Sequence, residues 1–131
     1  MIGMVVGIGC RASCVLPTLE ELLVQLRVSI GMTMPPLQAI ACWVPRQHHP
    51  TLLALTTSAG VPLEAWSTEQ LSRYAPELTH HSTALYARTG LWGIAEAAAL
   101  ASARTRSCSA ALWVPRTSVS TRDATGAIAL W

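Results

Sequence analysis

The chain has 131 residues, which is enough for one domain with a substantial core but too few for two. Hydrophobic residues make up 51%, charged residues only 12%, and the formal net charge is +2. The arginines are scattered and there is no lysine, so the basic patch typical of nucleic-acid-binding proteins is missing. No apolar run reaches the roughly 18–20 residues that a membrane span requires. We expect one cytoplasmic domain over residues 1–131, with no nucleic-acid or membrane partner and with a low surface charge that favours a homo-oligomer.

Strand and helix patterns alternate through the first third of the sequence. The β-favouring run Met1 to Ile8 predicts a buried strand, and Gly9 to Cys14 predicts a polar turn. Thr18-Leu19-Glu20-Glu21 has the pattern of a capping box. It predicts a helix that starts near Thr18 and stops at Gly31. The apolar face of that helix comprises Leu19, Leu22, Leu23, Leu26 and Ile30.

A second strand and helix follow the Pro35-Pro36 break. Leu37 to Val44 predicts a strand, and residues 45–49 predict a loop. Pro50 suits the first position of a helix that runs through Ser58 and ends at Gly60. Residues 61–66 then predict a short third strand.

The C-terminal half predicts two further helices and two strands. Ser67-Thr68-Glu69-Gln70 is a second capping box and opens a brief helix. Thr83 to Arg88 is compatible with either helix or strand, whereas Ile94 to Ala103 predicts a helix. Ala110 to Val114 and Ala124 to Leu130 predict two last strands, and no helix separates them. They can therefore pair antiparallel.

The alternation of strands and helices predicts an α/β fold with crossover connections. We expect a three-layer α/β/α sandwich whose mixed, mostly parallel sheet has about five strands.

The glycine-rich loop after the first strand is one candidate site. Gly7-Ile8-Gly9-Cys10-Arg11-Ala12 matches the G-x-G-x-x-A pattern of dinucleotide-binding proteins. In that motif the helix begins inside the glycine turn, whereas here it is predicted about nine residues later. A dinucleotide-binding module is therefore the least favoured function. The loop still opens at the carboxyl edge of the sheet, where α/β proteins bind ligands. Its candidate binding residues are Gly7, Gly9, Cys10 and Arg11.

Two more segments are predicted to reach the same edge. Arg46 follows the second strand, where an anionic ligand would meet the loop. Thr89, Gly90 and Gly93 are further candidate binding residues, because the two glycines let the backbone turn tightly and approach a ligand closely. Free amides of the next helix attract a carboxylate. Glu96 in its first turn either joins the site or only complements the helix dipole. We predict that these segments converge with the first glycine loop on one cleft.

Cysteines and histidines show no metal-ligating pattern. The cysteines are isolated, with no C-x-x-C pair: Cys10, Cys14, Cys42 and Cys108. The histidines form two adjacent pairs, His48-His49 and His80-His81, whose side chains point apart and have no evident third ligand. We expect no metal, no cofactor and reduced thiols.

Several motifs in a fixed order carry a family resemblance. They are Gly7-Ile8-Gly9-Cys10-Arg11, the loop Arg46 to His49, Gly60-Val61-Pro62-Leu63, Ser67 to Leu71, Gly90 to Leu100, Val114-Pro115-Arg116 and Thr125 to Ala129. The ordered set resembles the family of CobE and the CbiG C-terminal domain, from vitamin B12 synthesis. That family usually has Lys where this chain has Arg46 and Arg116, and Glu where it has His49.

The resemblance implies a protein of cobalamin biosynthesis that binds a precorrin or corrinoid, a tetrapyrrole rich in carboxylates. Arg11, Arg46 and Arg116 suit such a polyanion, and other enzymes of the pathway are the implied partners.

Two functions remain open. One is a binding or carrier protein without catalysis, and the other is a small hydrolase resembling CbiG, which opens a precorrin lactone. No Ser-His-Asp arrangement is present, so the catalytic residues stay unassigned. The acid–base candidates are only Glu96, Cys10 and the histidines, which favours binding.

Overall fold

The computed structural model describes residues 2–31, 34–119 and 121–131. Met1, the first residue of the predicted first strand, lies outside them. The five strands are β1 (Met4–Cys10), β2 (Leu37–Trp43), β3 (Leu63–Trp66), β4 (Ala111–Ser118) and β5 (Ala124–Leu130). The helices are α1 (Leu16–Ile30), α2 (Pro50–Ala59), α3 (Thr68–Ser72), α4 (Thr83–Thr89) and α5 (Ala95–Arg106). Short 3₁₀ turns occupy Val44–Arg46 and Ala75–Glu77.

The strands form one mixed sheet in the order β3-β2-β1-β5-β4. β1, β2 and β3 pair in parallel, whereas β5 is antiparallel to both of its neighbours. Because β5 alone is reversed, the carboxyl ends of β1, β2 and β4 meet the amino end of β5 at one edge of the sheet. The predicted antiparallel pairing of the last two strands is confirmed.

Helices cover both faces of the sheet. On one face, α1 buries Leu19, Leu22 and Leu26, and α2 adds Leu52 and Leu55. On the other face, α5 is buried from its first residue almost to its C-terminal turn. The predicted three-layer α/β/α sandwich is confirmed. Within the described parts of the chain, none of these helices has the length and hydropathy needed to cross a membrane.

Gly7 allows α5 to cross β1 at close range. A Cβ atom at Gly7 would lie 2.0 Å from the carbonyl oxygen of Ala95 and 2.6 Å from the amide nitrogen of Ala99. No side chain fits there, because both neighbours are helix backbone. Gly7 therefore serves helix–sheet packing.

The predicted start of α1 is wrong. The helix begins at Leu16, its N-cap is Val15, and no side chain caps it. Pro17 occupies the first turn, where its missing N–H leaves no bond unmade and its fixed φ suits the helix. Thr18 consequently falls inside the first turn, and its amide donates to the Val15 carbonyl at 3.1 Å. The capping box predicted at Thr18 does not form.

Other boundaries shift for local reasons. β3 begins at Leu63 because the Val61 amide closes the end of α2, donating to Thr56 at 3.2 Å after the left-handed Gly60. β4 continues to Ser118 instead of stopping at Val114. The segment left open between helix and strand is helix α4. The capping box at the start of α3 is confirmed, since Ser67 and Gln70 exchange both hydrogen bonds.

Candidate functional site: the arginine cleft

A cavity of about 230 Å³ opens at the sheet edge where β1, β2 and β4 end and β5 begins. We call it the arginine cleft after the five arginines that line it: Arg11, Arg46, Arg88, Arg116 and Arg122. They come from five different segments of the chain. The other walls include Trp43, Ser82, Leu85 and the start of α5 at Ile94.

Most of the site residues expected from the sequence line this cleft. Those that do are Gly9, Cys10, Arg11, Arg46, Thr89, Gly93 and Arg116. Those that do not are Gly7, Gly90 and Glu96. The first glycine loop, Arg46 and the loop before α5 thus lie around one cavity, as the strand order requires.

Two arginines of the cleft were missed by sequence reasoning. Arg88 lies on α4, a segment whose conformation the sequence left open. Arg122 lies in the turn between β4 and β5 and has a left-handed backbone, with φ of 59°. Nothing in the residue pattern around Arg122 signals that conformation. The one acidic residue of the cleft wall, Asp123, was also missed.

Arg46 is held in place by the end of β1. Its Nε donates to the Cys10 carbonyl at 2.9 Å, and this bond fixes the guanidinium. Among the described residues, the two terminal nitrogens of Arg46 donate no hydrogen bond. Arg46 can therefore offer a carboxylate or phosphate the planar pair of donors that suits bidentate contact.

His49 ties the same loop together. Its Nδ1 accepts from the Thr51 amide at 3.1 Å, and its Nε2 lies 3.1 Å from the Arg11 carbonyl and 3.0 Å from the Ala12 carbonyl. Since carbonyls only accept, the proton sits on Nε2. His49 therefore caps α2 and anchors the β1 loop. His81 likewise makes a local contact, between its Nε2 and the Ala75 carbonyl at 2.8 Å.

Among the described residues, the cleft arginines form no ion pair with a carboxylate. The ion pairs of the described residues join Arg104 to Glu77 and Arg106 to Glu64, both outside the cleft. None of the cleft arginines lies within ion-pair distance of an acid in those parts of the chain. The cleft consequently concentrates positive charge, with five arginines and the single acidic residue Asp123 in its lining.

Glu96 is buried beneath the cleft wall, with 2% of its surface exposed. It accepts hydrogen bonds from the amides of Thr79, His80 and Arg116 at 3.0, 3.3 and 3.1 Å, and also from the Thr79 hydroxyl. These four donors occupy its carboxylate. Glu96 therefore binds groups of the protein and does not face a ligand in the cleft.

The two glycines before α5 have different roles. Gly90 ends α4 in the left-handed conformation, with φ of 78°, and only glycine adopts this readily. At Gly93, a Cβ atom would lie 3.1 Å from the Leu78 side chain, so its small size keeps that loop against its neighbours. Gly90 therefore shapes the turn that leads to the cleft, and Gly93 forms part of the wall.

Cys10 is a neutral thiol. Burial, reinforced by the neighbouring Cys14, raises its pKa to about 12, and the nearby Arg46 offsets this only in part. The nucleophilic thiolate is therefore absent at neutral pH.

A family profile described as the cobalamin synthesis G C-terminus matches residues 4–129. The chain is also 29% identical over 101 residues to Protein CobE of Sinorhizobium sp. That match covers 77% of this chain and 66% of the other protein, slightly less than two thirds of its length.

Two crystal structures have similar folds. One is of CobE, a protein from the cobalamin (vitamin B12) biosynthetic pathway, with a TM-score of 0.85 at 30% identity over 96% of this chain and 88% of that chain. The other is of the cobalamin biosynthesis protein chiG from Agrobacterium tumefaciens str. C58, with a TM-score of 0.67 at 28% identity over 97% of each chain.

Proposed function

The chain belongs to the family of the cobalamin synthesis G C-terminus, and we propose that it binds an anionic precorrin-type tetrapyrrole in the arginine cleft. The observation that carries the proposal is the group of five arginines that line one cavity without a carboxylate partner in the described chain. Arginines brought together in this way repel one another unless an anion joins them. A ligand with several carboxylates supplies that compensation.

The size of the cavity indicates how such a ligand would bind. At about 230 Å³, the cavity is smaller than the roughly 300–1,000 Å³ of pockets that bury most of a drug-sized ligand. It suits the acidic side chains of a tetrapyrrole better than the whole ring. The ring would then lie across the opening, next to Trp43, which is half-buried in the cleft wall. Arginine and tryptophan together provide charge and an aromatic surface for such a ligand.

Binding without catalysis is favoured over the hydrolase alternative. Cys10 is a neutral thiol with a pKa of about 12, and the carboxylate of Glu96 is occupied by four donors. Neither group is available to attack or to activate water in the cleft. A carrier that holds an intermediate for other enzymes of the pathway fits these features.

Charge reversal in the cleft tests the proposal. Arg46→Glu and Arg116→Glu should each weaken binding of a precorrin, or of the stable octacarboxylate uroporphyrin, by about tenfold to a hundredfold. The reason is that each variant replaces a carboxylate partner with a like charge. Titration followed by visible absorption measures the affinity, and circular dichroism checks the fold.

Arg73→Glu is the matched control, because it makes the same change in net charge at an exposed position outside the cleft. It should bind as tightly as the wild type. A nicotinamide dinucleotide should not bind. Equal losses in all three variants would show that only net charge matters, and unchanged affinity in both cleft variants would overturn the proposal.

A further inference from the structure

Strand β4 carries a bulge where Arg116 enters the cleft. Val114 lies opposite Ile128 and Thr117 opposite Gly126, so three steps along β4 match only two along β5. Pro115 adds to the irregularity because it has no N–H to donate to the sheet. Bulges of this kind leave one residue unpaired and redirect its side chain, often beside a functional site.

Glu96 binds the amide that the bulge leaves unpaired. Its Oε2 accepts from the Arg116 N–H at 3.1 Å, and Glu96 as a whole is 2% exposed. Without that acceptor, a partly buried N–H would lose its hydrogen bond, a cost that relaxation of the bulge would relieve. The position of Arg116 therefore depends on a side chain from another element, the first turn of α5.

The same carboxylate also holds a second segment of the cleft wall. Its Oε1 accepts from the amides of Thr79 and His80 at 3.0 and 3.3 Å. Ser82, two residues further on, lines the cleft and caps α4, where its hydroxyl accepts from the Leu85 amide. One buried group thus connects β4, α5 and the segment before α4.

We propose that Glu96 is a positioning residue, which fixes the Arg116 bulge and the turn at residues 79–80 so that Arg116 points into the cleft. It acts through Arg116 and does not touch the ligand. This inference rests on the proposed ligand function of the cleft for its effect on affinity, but its effect on the bulge is independent of any ligand. Glutamine cannot replace it, because an amide NH₂ would face backbone donors where the carboxylate has an accepting oxygen.

A double-mutant cycle tests the inference. Glu96→Gln should weaken uroporphyrin binding about tenfold, and Arg116→Ala should weaken it by at least as much. The double variant should bind no more weakly than Arg116→Ala alone, because the effect of Glu96 on affinity acts through Arg116. Losses that multiply in the double variant would overturn the proposal.

Leu26→Ala controls for general destabilisation. It removes a buried side chain from the opposite face of the sheet and should leave affinity unchanged. If Glu96→Gln does not fold, Thr79→Val removes one donor to the same carboxylate and should give a smaller loss of affinity, again only when Arg116 is present.

Hydrogen exchange provides a readout that needs no ligand. In Glu96→Gln, the amides of Thr79, His80 and Arg116 should exchange more than about tenfold faster, whereas amides of β1 should not change. Unchanged exchange at Arg116 would overturn the positioning role even if the cleft binds its ligand. If the wild-type protein binds no tetrapyrrole while the exchange rates change as expected, the proposed function fails and the positioning role stands.

Discussion

The arginines near the two ends of helix α5 differ in whether they form ion pairs. At its C-terminal end, Arg104 and Arg106 form two-point ion pairs with Glu77 and Glu64, with contacts of 2.6 to 3.0 Å. These partners hold the pKa of both carboxyls below their usual range. At its N-terminal end, the arginine cleft has arginines from five segments and no ion pair among the described residues.

This difference separates arginines that join neighbouring elements from arginines that we propose bind a ligand. The paired end has the charge balance of an ordinary protein surface, where arginine joins neighbouring elements. The cleft keeps positive charges together at a cost in repulsion. Since the chain contains seven acidic residues and places just one of them, Asp123, on the cleft wall, the imbalance is local and does not follow from overall composition.

The largest expected effect is that of changing Gly7, which allows α5 to cross β1 at close range. Gly7→Ala should lower the free energy of unfolding by about 3 kcal/mol, because the added methyl group meets helix backbone. Urea denaturation measures this loss. Gly9→Ala is the control on the same strand, where the nearest atom is the Thr125 hydroxyl at 3.0 Å, and it should cost at most about 1 kcal/mol. Equal costs would contradict the close crossing.

Salt should affect the two ends differently. Raising the ionic strength from about 0.05 M to about 0.5 M should weaken uroporphyrin binding by about tenfold, because screening reduces attraction to the exposed cleft arginines. The urea midpoint should change little, since exposed ion pairs contribute little stability. Titration and denaturation in the same buffers measure both. Affinity that does not depend on salt would argue against a ligand held by charge.

Removing one arginine from each end compares stability directly. Arg104→Ala should cost about 0.5–1 kcal/mol, because it breaks a two-point ion pair whose side chains are 28% and 43% exposed. Arg88→Ala in the cleft should leave stability unchanged within about 0.5 kcal/mol and should instead weaken ligand binding. Thermal or urea unfolding of both variants checks this. Similar losses of stability would mean that Arg88 also has a structural partner.

Acid should remove the contribution of the paired end. The pKa values of Glu64 and Glu77 lie below their usual value of 4.5 in the folded protein. Their stabilisation is therefore present above about pH 4.5 and is lost as the pH falls through the folded values. The double variant Glu64→Gln/Glu77→Gln should be less stable than wild type by under about 1 kcal/mol at neutral pH, and this difference should shrink as the pH falls below about 4.5. A difference that stayed constant as the pH fell below about 4.5 would contradict this assignment.

Where the sequence carries a local chemical signal, it predicts the fold well. Pro50 and Gly60 mark the ends of α2, and Ser67 with Gln70 marks the start of α3. The same kind of pattern gives a wrong prediction at Thr18. With Pro17 in the first turn, α1 starts upstream at Leu16, so Thr18 is not the N-cap residue that a capping box requires. Such boundaries depend on competition between neighbouring residues, which a single motif does not reveal.

Only the cleft residues that directly follow predicted strands could be foreseen from the sequence. Arg11 and Arg46 follow strands that the sequence indicates, so their placement at one edge follows from the sheet. Arg122 depends on a left-handed turn, and Arg88 on a helix of seven residues without a buried side chain. Glycine is required at position 7 because helix α5, which is distant in sequence, packs against it. These features arise from tertiary contacts that local patterns do not encode.

Strand β5, which is antiparallel to both of its neighbours, has a consequence for how the chain reaches its folded state. β1 can pair with β2 once both are synthesised, but its other edge stays unpaired until β5 is made, whose Leu130 lies opposite Met4. Until then, β1 exposes a row of unpaired N–H and C=O groups next to apolar side chains, the type of edge from which aggregation starts. Closing it requires contacts between residues more than a hundred positions apart, which slows folding. During synthesis on the ribosome, this edge is therefore the surface that a chaperone would need to protect.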